Sequence, residues 1–325
     1  MTGFSMMLVI YGPTVTGKTD LAIQVAKKFN GELISADSRQ VYRGLDITSG
    51  KVNFDKKVVK KPGYWIVDGI RIHGFDLIDP GTPFSVVDFL KFAHFSLEKI
   101  TRLNKLPIVV GGTGFYIKSL IDGFQSKGIP PDSKLRKKLE KLSQEELFQK
   151  LLEIDPKRAN TMNGSDRRNP RRLIRAIEIT STTPQNTIDH QVSTKDDLLI
   201  CLTAPNSYLY SRADKWLDVR FKNGIVEEVK KSLDFGVNSS WLIDLGLEYR
   251  WVTRYLNKEI NLEYAKERLR GDIHGFIRRQ KTWISKFKSK ELFDISQNSW
   301  KSKLEKTVKD WYTQESYGKQ SPNKG

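Results

Sequence analysis

The sequence predicts an α/β fold: a three-layer core with a parallel sheet, interrupted by a helical insertion. Short apolar stretches alternate with helical patterns over the first third of the chain, which is typical of strands joined by crossover helices. One of these stretches, 107–112, is uniformly apolar, as expected for a parallel strand covered on both faces. The alternation stops at 124–193, where the chain becomes polar, basic and helical in pattern.

Each element of the core follows from its own pattern. The expected strands are apolar runs bounded by turn residues: 6–11, 31–37, 70–78, 107–112 and 197–203. The expected helices have apolar residues at helical spacing: 20–29, 85–104, 115–121, 206–233 and 261–289. We therefore assign 1–123 and 194–311 to the core with its C-terminal helices.

The insertion, 124–193, is predicted to carry a small core of its own. Its leucines recur at helical spacing: Leu135, Leu139, Leu142, Leu147, Leu151 and Leu152. In a second stretch, NPRRLIRAIEI, we expect Leu173, Ile174 and Ile177 to face inward. The last residues, 312–325, lack apolar periodicity, and we predict a disordered tail.

Charge and cysteine content limit the function classes. The chain has 325 residues, with 55 Lys and Arg against 38 acidic residues, a formal net charge of +17. That excess favours a polyanionic partner such as nucleic acid over a membrane surface. The one cysteine, Cys201, excludes an intrachain disulfide and is expected to be a buried strand thiol. No apolar stretch approaches the ~20 residues of a membrane span. We expect a cytosolic monomer.

The segment GPTVTGKT, residues 12–19, has the spacing of a phosphate-binding loop. It lies between an apolar strand and a helix, which is the context that such a loop requires. Its backbone amides and the helix N-terminus would hold anionic oxygens. The candidate diphosphate-binding residues are Gly12, Pro13, Thr14, Val15, Thr16, Gly17, Lys18 and Thr19. Lys18 would neutralise phosphate charge, and the Thr19 hydroxyl would bind Mg²⁺.

The acid that usually follows a second apolar strand in nucleotide hydrolases is missing. The strand at 107–110 ends in Gly111, Gly112, Thr113 and Gly114. The carboxylate that does end a strand is Asp37, followed by Ser38, Arg39 and Gln40. Asp37 could bind a metal, accept a proton from a nucleophile, or cap a helix.

Seven segments, in order along most of the chain, resemble the tRNA dimethylallyltransferases, also called tRNA isopentenyltransferases. They are GPTVTGKT (12–19), ISADSRQVYRGLDI (34–47), FSVVDF (84–89), PIVVGGTGFYIKSL (107–120), RRLIRAIEI (171–179), GIVEEV (224–229) and RRQKTW (278–283). The resemblance implies a P-loop core like that of nucleotide kinases. It implies an insertion that grips the anticodon stem-loop. It also implies transfer of a dimethylallyl group from dimethylallyl diphosphate to N6 of adenosine 37, in tRNAs that read codons beginning with U.

The resemblance assigns roles to individual positions. Asp37 would take the proton of N6, while Lys18 and Thr113 would assist near the diphosphate. The cofactor would be Mg²⁺, held by Thr19. The residues implied at the tRNA are Asp37, Ser38, Arg39, Gln40, Thr113, Arg171, Arg172, Arg175, Arg278, Arg279 and Lys281.

One departure concerns the diphosphate. The family usually has an arginine eight residues before the glycine of GIVEEV, and this chain has Trp216 there. Arg212 and Arg220 lie four residues to either side, so either could supply the charge.

Three other functions compete. A small-molecule kinase would share the loop and the sheet but would not explain the net charge of +17. A non-catalytic RNA-binding protein would leave Lys18 and Asp37 without a role. A prenyltransferase acting on free adenine nucleotides would not need the basic insertion.

Overall fold

The structure is a computed structural model in which residues 6–51, 53–124, 129, 131–182 and 196–318 are described. The strands are β1 (Leu8–Tyr11), β2 (Gly31–Ser35), β3 (Val58–Lys61), β4 (Tyr64–Val67), β5 (Ile70–His73), β6 (Leu106–Gly111), β7 (Leu198–Thr203) and β8 (Glu291–Asp294).

The helices are distributed over the whole described chain. The first nine are α1 (Lys18–Lys28), α2 (Asp46–Ser49), α3 (Val86–Arg102), α4 (Gly114–Asp122), α5 (Ser133–Leu139), α6 (Gln144–Ile154), α7 (Pro156–Thr161), α8 (Gly164–Arg167) and α9 (Pro170–Thr180). The others are α10 (Asn206–Lys222), α11 (Ile225–Asp234), α12 (Ser239–Leu245), α13 (Leu247–Leu256), α14 (Leu262–Ile284) and α15 (Trp300–Gly318).

The strands form one mixed, mostly parallel sheet in the order β3-β4-β5-β2-β6-β1-β7-β8. The pairs from β5 to β8 are parallel, and β1 lies between β6 and β7. β3 and β4 add an antiparallel ribbon at one edge, which the sequence analysis did not predict. Two strand predictions also need correction. The strand expected at 70–78 ends at His73, and β8 was not foreseen.

Local sequence explains the helix that covers β2 and β6. Ser85 accepts a hydrogen bond from the backbone N–H of Asp88, and the Asp88 carboxylate accepts one from the backbone N–H of Ser85. This capping box starts α3 at Val86. The apolar face of α3 is buried, and β6 is buried along its whole length. Cys201 lies in β7 and is buried, as predicted.

The chain divides into two compact units. Unit 1 comprises 1–122 and 192–325, and it contains the whole sheet. Unit 2 comprises 123–191, and helices α5 to α9 lie within it. Unit 2 has its own apolar core, which includes the inward-facing Leu173, Ile174 and Ile177. The predicted leucines belong to this core or pack against it.

The prediction of a disordered tail is wrong for residues 312–318. Helix α15 continues through these residues to Gly318, with Leu304 and Val308 in the main core. Residues 319–325 lie outside the described part of the chain. Among the described helices, none is both long and apolar enough to span a membrane.

Candidate active site

The glycine-rich loop, Gly12–Thr19, connects β1 to α1. Gly12 is buried so closely that an added Cβ would lie 3.1 Å from the Leu202 carbonyl oxygen. Gly17 has φ of 78°, a left-handed conformation, and it precedes the first residue of α1. The Thr16 hydroxyl donates to the Pro13 carbonyl at 2.8 Å. The loop therefore folds back on itself and leaves the N-terminus of α1 facing a cavity.

Lys18 extends along this loop. Its Nζ donates to the Pro13 carbonyl at 3.2 Å. Burial lowers the pKa of Lys18 to about 8, and the nearby Asp37 carboxylate only partly offsets that effect. The lysine is thus a poorly solvated cation, which an anion bound in the loop would stabilise.

A cavity of about 360 Å³ lies in front of the loop. Thr14, Val15, Gly17, Lys18 and Thr19 line one side of it. Of the other loop residues proposed to bind diphosphate, Gly12, Pro13 and Thr16 are buried behind that surface.

The carboxyl end of β2 supplies a second wall. Asp37, Arg39 and Gln40 line the cavity. Asp37 Oδ1 accepts the backbone N–H of Arg39 at 2.9 Å, which leaves its other oxygen free of this turn. Lys18 and Asp37 therefore share one cavity, although they come from different strand ends.

Thr113 lies beside the same strand end. Its backbone N–H donates to the Ala36 carbonyl, and its hydroxyl accepts the backbone N–H of Ser38 at 3.1 Å. Thr113 and Ser38 hold the turn that carries Asp37. They are not among the residues that line the cavity.

The glycines around Thr113 are required by close packing. A Cβ on Gly111 would overlap the Ala36 backbone, and one on Gly114 would overlap the Trp283 ring. A Cβ on Gly112 would lie 2.5 Å from Gln280 Nε2. The GGTG segment therefore lets two strand ends and one helix meet without side chains between them.

Two other residues proposed to contact tRNA are tied into the protein. Gln40 contacts Ser35 Oγ at 2.6 Å and donates to the Gly50 carbonyl at 3.1 Å. Arg39 donates to the Leu245 carbonyl at 2.8 Å, and its guanidinium lies 5.6 Å from the Phe276 ring centroid.

Arg212 and Arg220 have different surroundings. Arg212 lines the cavity and donates from Nε to the Val15 carbonyl at 2.9 Å. Arg220 is not part of that lining. It is 3 % exposed and donates to the Thr48 carbonyl at 3.0 Å. The structure thus places Arg212, and not Arg220, at the loop.

Arg220 is held in a tight enclosure. Its guanidinium stacks 3.3 Å from the Trp216 ring centroid and lies 3.5 Å from Glu248 Oε1. Burial lowers the pKa of Arg220 to about 10, and burial raises the pKa of Glu248. A Cβ on Gly50 would overlap the guanidinium. Trp216, Arg220 and Gly50 are therefore fitted to one another.

Helix α14 forms another wall of the cavity. Ile273, Phe276 and Gln280 face the cavity, whereas Arg278 and Arg279 are exposed. The predicted RNA-contacting residues have protein partners: Arg278 donates to the Tyr210 hydroxyl, Arg279 lies over the Phe276 ring, and Lys281 donates to the Ala204 carbonyl and Asn206 Oδ1.

Sequence reasoning missed Gln280. It lies on the apolar stripe of α14, seven residues after Ile273 and four before Ile284, both of which are buried. A polar residue in such a stripe was the available signal. Lys215, Leu247 and Glu248 also line the cavity and were not singled out.

The predicted arginines of unit 2 lie on α9. Arg171 and Arg172 are exposed, and Arg172 forms an ion pair with Asp166. Arg175 pairs with the buried Glu178 at 3.0 Å and donates to the Ile129 carbonyl at 2.8 Å. Arg136, which also pairs with Glu178, and Arg175 hold the pKa of Glu178 below its usual value, although burial opposes them. Arg175 thus stabilises unit 2, while Arg171 and Arg172 face solvent.

No group of three or more His, Cys, Asp or Glu side chains within the described ranges could hold a metal ion. Thr19, the predicted metal ligand, is half-buried at the cavity wall. A single protein oxygen is compatible with Mg²⁺, because water molecules and phosphate oxygens often fill most of the coordination shell of this ion.

The fold and cavity define an α/β protein in which a cationic glycine-rich loop faces a carboxylate. The profile of the IPP transferase family matches residues 40–287. The tRNA dimethylallyltransferase of Acetivibrio thermocellus is 38% identical over 293 residues, which cover 87% of this chain and 90% of that one. The chain belongs to the IPP transferase family.

Solved structures agree with this assignment. The full-length tRNA isopentenylpyrophosphate transferase of Bacillus halodurans superposes with a TM-score of 0.70 at 30% identity, covering 98% of this chain and all of that one. A eukaryotic dimethylallyltransferase acting on tRNA has a TM-score of 0.76 at 24% identity, covering 95% of this chain and 80% of that one, and shares the fold.

Proposed function

We propose that this protein transfers the dimethylallyl group of dimethylallyl diphosphate to N6 of adenosine 37 in tRNAs that read codons beginning with U. The products are N6-isopentenyladenosine in tRNA and diphosphate. One observation carries the proposal: Lys18 on the glycine-rich loop and Asp37 on the next strand end line the same cavity. Family membership supports the reaction class.

The loop would act as a P-loop that holds diphosphate. The amides at the N-terminus of α1, the Lys18 ammonium and the Arg212 guanidinium all meet the cavity on one side. The allylic C–O bond breaks and its electron pair remains on the departing diphosphate. These fixed positive groups stabilise that charge without reorganisation of water. When bound at Thr19, Mg²⁺ would supply further positive charge to the diphosphate oxygens.

Asp37 would act on the acceptor. The exocyclic amine of adenine is a weak nucleophile, so its proton must leave as the new N–C bond forms. A carboxylate within hydrogen-bonding reach can take that proton. Asp37 is suited to this role because the Arg39 amide holds one of its oxygens and fixes its orientation. The target base would be flipped out of the anticodon loop to reach the cavity.

The remaining groups would bind tRNA. We infer that unit 2 is a helical insertion that grips the anticodon stem-loop, with Arg171 and Arg172 on its exposed face. In unit 1, Arg278 and Arg279 on α14 would contact the RNA backbone. Ser38, Arg39, Gln40 and Thr113 would shape the surroundings of the flipped base, mostly through the turns that they hold. We expect a monomer that acts in the cytosol.

The test is a transfer assay. Purified protein is incubated with Mg²⁺, labelled dimethylallyl diphosphate and a tRNA with three consecutive adenosines at positions 36 to 38. Digestion should release labelled N6-isopentenyladenosine. The label should disappear with Asp37→Ala and with guanosine at position 37.

Two outcomes would contradict the proposal. The first is no label with any tRNA, together with phosphate transfer from ATP to a small acceptor, which would favour a kinase. The second is labelling of free adenine nucleotides but not of tRNA.

A further inference from the structure

Gln280 makes an unusual set of contacts in the site. Gln280 belongs to α14 and is 4 % exposed, yet its side chain reaches two other segments. Its Oε1 accepts the backbone N–H of Thr14 at 2.9 Å. Its Nε2 donates to the Gly112 carbonyl at 2.9 Å. Both hydrogen-bonding ends of one amide are therefore used.

The two segments that Gln280 joins carry different halves of the site. Thr14 belongs to the glycine-rich loop, which also carries Lys18. Gly112 belongs to the turn after β6, whose next residue, Thr113, holds Asp37 in place through Ser38 and Ala36. One side chain thus connects the loop that would hold the diphosphate to the turn that supports Asp37.

Other features fix Gln280 itself. Its backbone carbonyl accepts the Tyr11 hydroxyl at 2.6 Å, so the helix is tied to the end of β1. Three residues later, the Trp283 ring packs against Gly114. Since Gly112 has no Cβ, the Gln280 amide can approach its carbonyl. Packing therefore leaves Gln280 little freedom to adopt another rotamer.

We propose that Gln280 is a positioning residue that sets the separation between the diphosphate-binding loop and the acceptor side of the site. This inference rests on the proposed prenyl transfer. Gln280 also occupies the N–H of Thr14, so that amide is withheld from the diphosphate. Phosphate oxygens are then bound by the amides that follow Thr14 in the loop and by Lys18.

The glutamine amide satisfies both contacts because it has both a donor and an acceptor. A methionine has nearly the same length but neither donates to Gly112 nor accepts from Thr14. An ionised glutamate accepts from Thr14, but its second oxygen would face the Gly112 carbonyl, which repels it. A protonated glutamate can do both, because its O–H donates to Gly112 while the other oxygen accepts from Thr14.

The first test compares Gln280→Met with Gln297→Met. Gln297 is exposed, so its variant controls for the change of side chain. For Gln280→Met we expect kcat/KM for dimethylallyl diphosphate to fall about 100-fold, since small misplacements of reacting groups cost about that much. The dissociation constant for tRNA should stay within twofold of wild type, and Gln297→Met should match wild type in both.

The second test uses Gln280→Glu and pH. Burial and the facing carbonyl should raise the pKa of the new carboxyl. Activity of the variant, divided by that of wild type, should rise as the pH is lowered from 8 to 6. Tyr11, Lys18, Asp37 and Arg39 also face this region. They are present in both proteins, so the ratio reports what the substitution at 280 changes, including its effect on the neighbouring Lys18.

A third variant moves Gln280 without changing it. In Gly112→Ala the new methyl group would displace the flexible end of Gln280. We expect the same loss of kcat/KM for the donor as in Gln280→Met, with tRNA binding retained.

The outcomes separate this inference from the proposed function. If wild type transfers the label but Gln280→Met keeps wild-type kcat/KM, or the Gln280→Glu ratio does not depend on pH, Gln280 is not a positioning residue. If wild type itself transfers no label to tRNA, the proposed function fails first. A loss of tRNA binding in Gln280→Met equal to the loss for the donor would indicate only a structural role.

Discussion

The two sides of the cavity are built in different ways. The glycine-rich loop comes from eight consecutive residues, Gly12–Thr19, and its shape follows from local sequence. The facing wall combines the end of β2, Gly111 at the end of β6, and α14, which are distant in sequence. A contiguous motif can be recognised from its spacing alone, whereas an assembled wall depends on which side chains the fold brings together.

The largest difference between the two sides is expected when the Asp37 carboxylate is removed from the facing wall. In Asp37→Asn the amide oxygen can still accept the Arg39 N–H, so the turn should persist. Loss of the proton acceptor should lower kcat about 1000-fold. Binding of inorganic diphosphate with Mg²⁺, measured by calorimetry, should be unchanged. A variant with kcat within tenfold of wild type would remove Asp37 from the chemistry.

The fit among Gly50, Trp216 and Arg220 can be broken by one methyl group. In Gly50→Ala the methyl overlaps the Arg220 guanidinium, and φ is 60° at this position. Overpacking and backbone strain together should lower the free energy of unfolding by about 3 kcal/mol. The measurement is denaturant unfolding.

Two controls separate the clash from the strain. Gly44 has φ of 71° and nothing within 4 Å of an added Cβ, so Gly44→Ala should cost only about 1 kcal/mol. Adding Arg220→Met to Gly50→Ala should recover part of the loss, because the guanidinium is gone. Equal losses in Gly44→Ala and Gly50→Ala would show that the enclosure imposes no steric limit.

The two arginines of α10 should differ in effect. Arg212→Ala should weaken binding of inorganic diphosphate about tenfold, as expected for a charged hydrogen bond at the cavity mouth. Arg220→Ala should instead lower stability, since it leaves Glu248 buried without its partner. Calorimetry of diphosphate binding and thermal unfolding of both variants would decide. The reverse pattern would assign the diphosphate contact to Arg220.

The loop itself predicts a pH dependence. With its pKa lowered to about 8, Lys18 loses its proton above that pH in the free protein, so diphosphate affinity should fall up to about tenfold from pH 7 to 9. An arginine stays charged over this range. Lys18→Arg should therefore show a flatter profile than wild type. Parallel profiles for the two proteins would mean that Lys18 does not titrate in the site.

The smallest effect is expected in unit 2. Arg171→Gln should weaken tRNA binding a few-fold and reduce the slope of log affinity against log salt by about 1, as for one lost phosphate contact. The KM for dimethylallyl diphosphate should not change. Arg175→Gln serves as the contrast, because Arg175 pairs with Glu178 and should mainly affect stability. An unchanged salt slope in Arg171→Gln would remove it from the RNA surface.

Sequence reasoning succeeded where a pattern is local. The buried β6, the helix α3 and the inward face of α9 were all predicted from apolar spacing, and the structure confirms them. The ribbon β3–β4 was missed because each strand has only four residues and β3 is largely exposed. The helix at 312–318 was missed because helical polar residues resemble a disordered tail in composition.

The site divides in the same way. Lys18 was identified from the spacing of the glycine-rich loop and Asp37 from the end of a predicted strand, and the structure brings them into one cavity. Helical spacing placed Arg212 and Arg220 on similar faces of α10. It could not show that Trp216 and Gly50 make room for a buried guanidinium at 220. Which of the two arginines is buried depends on packing between segments that are distant in sequence. Periodicity within one helix carries no information about that packing.

The cap of helix α2 has a consequence for the order in which parts of the protein become structured during synthesis. The Glu228 carboxylate accepts the backbone N–H groups of Asp46, Ile47 and Thr48. It lies 182 residues after Asp46. A nascent chain that has emerged only as far as α10 already carries the glycine-rich loop. However, it lacks the carboxylate that holds the four-residue helix beside it. We therefore expect the pocket wall next to Gly50 to become ordered only after α11 has been synthesised.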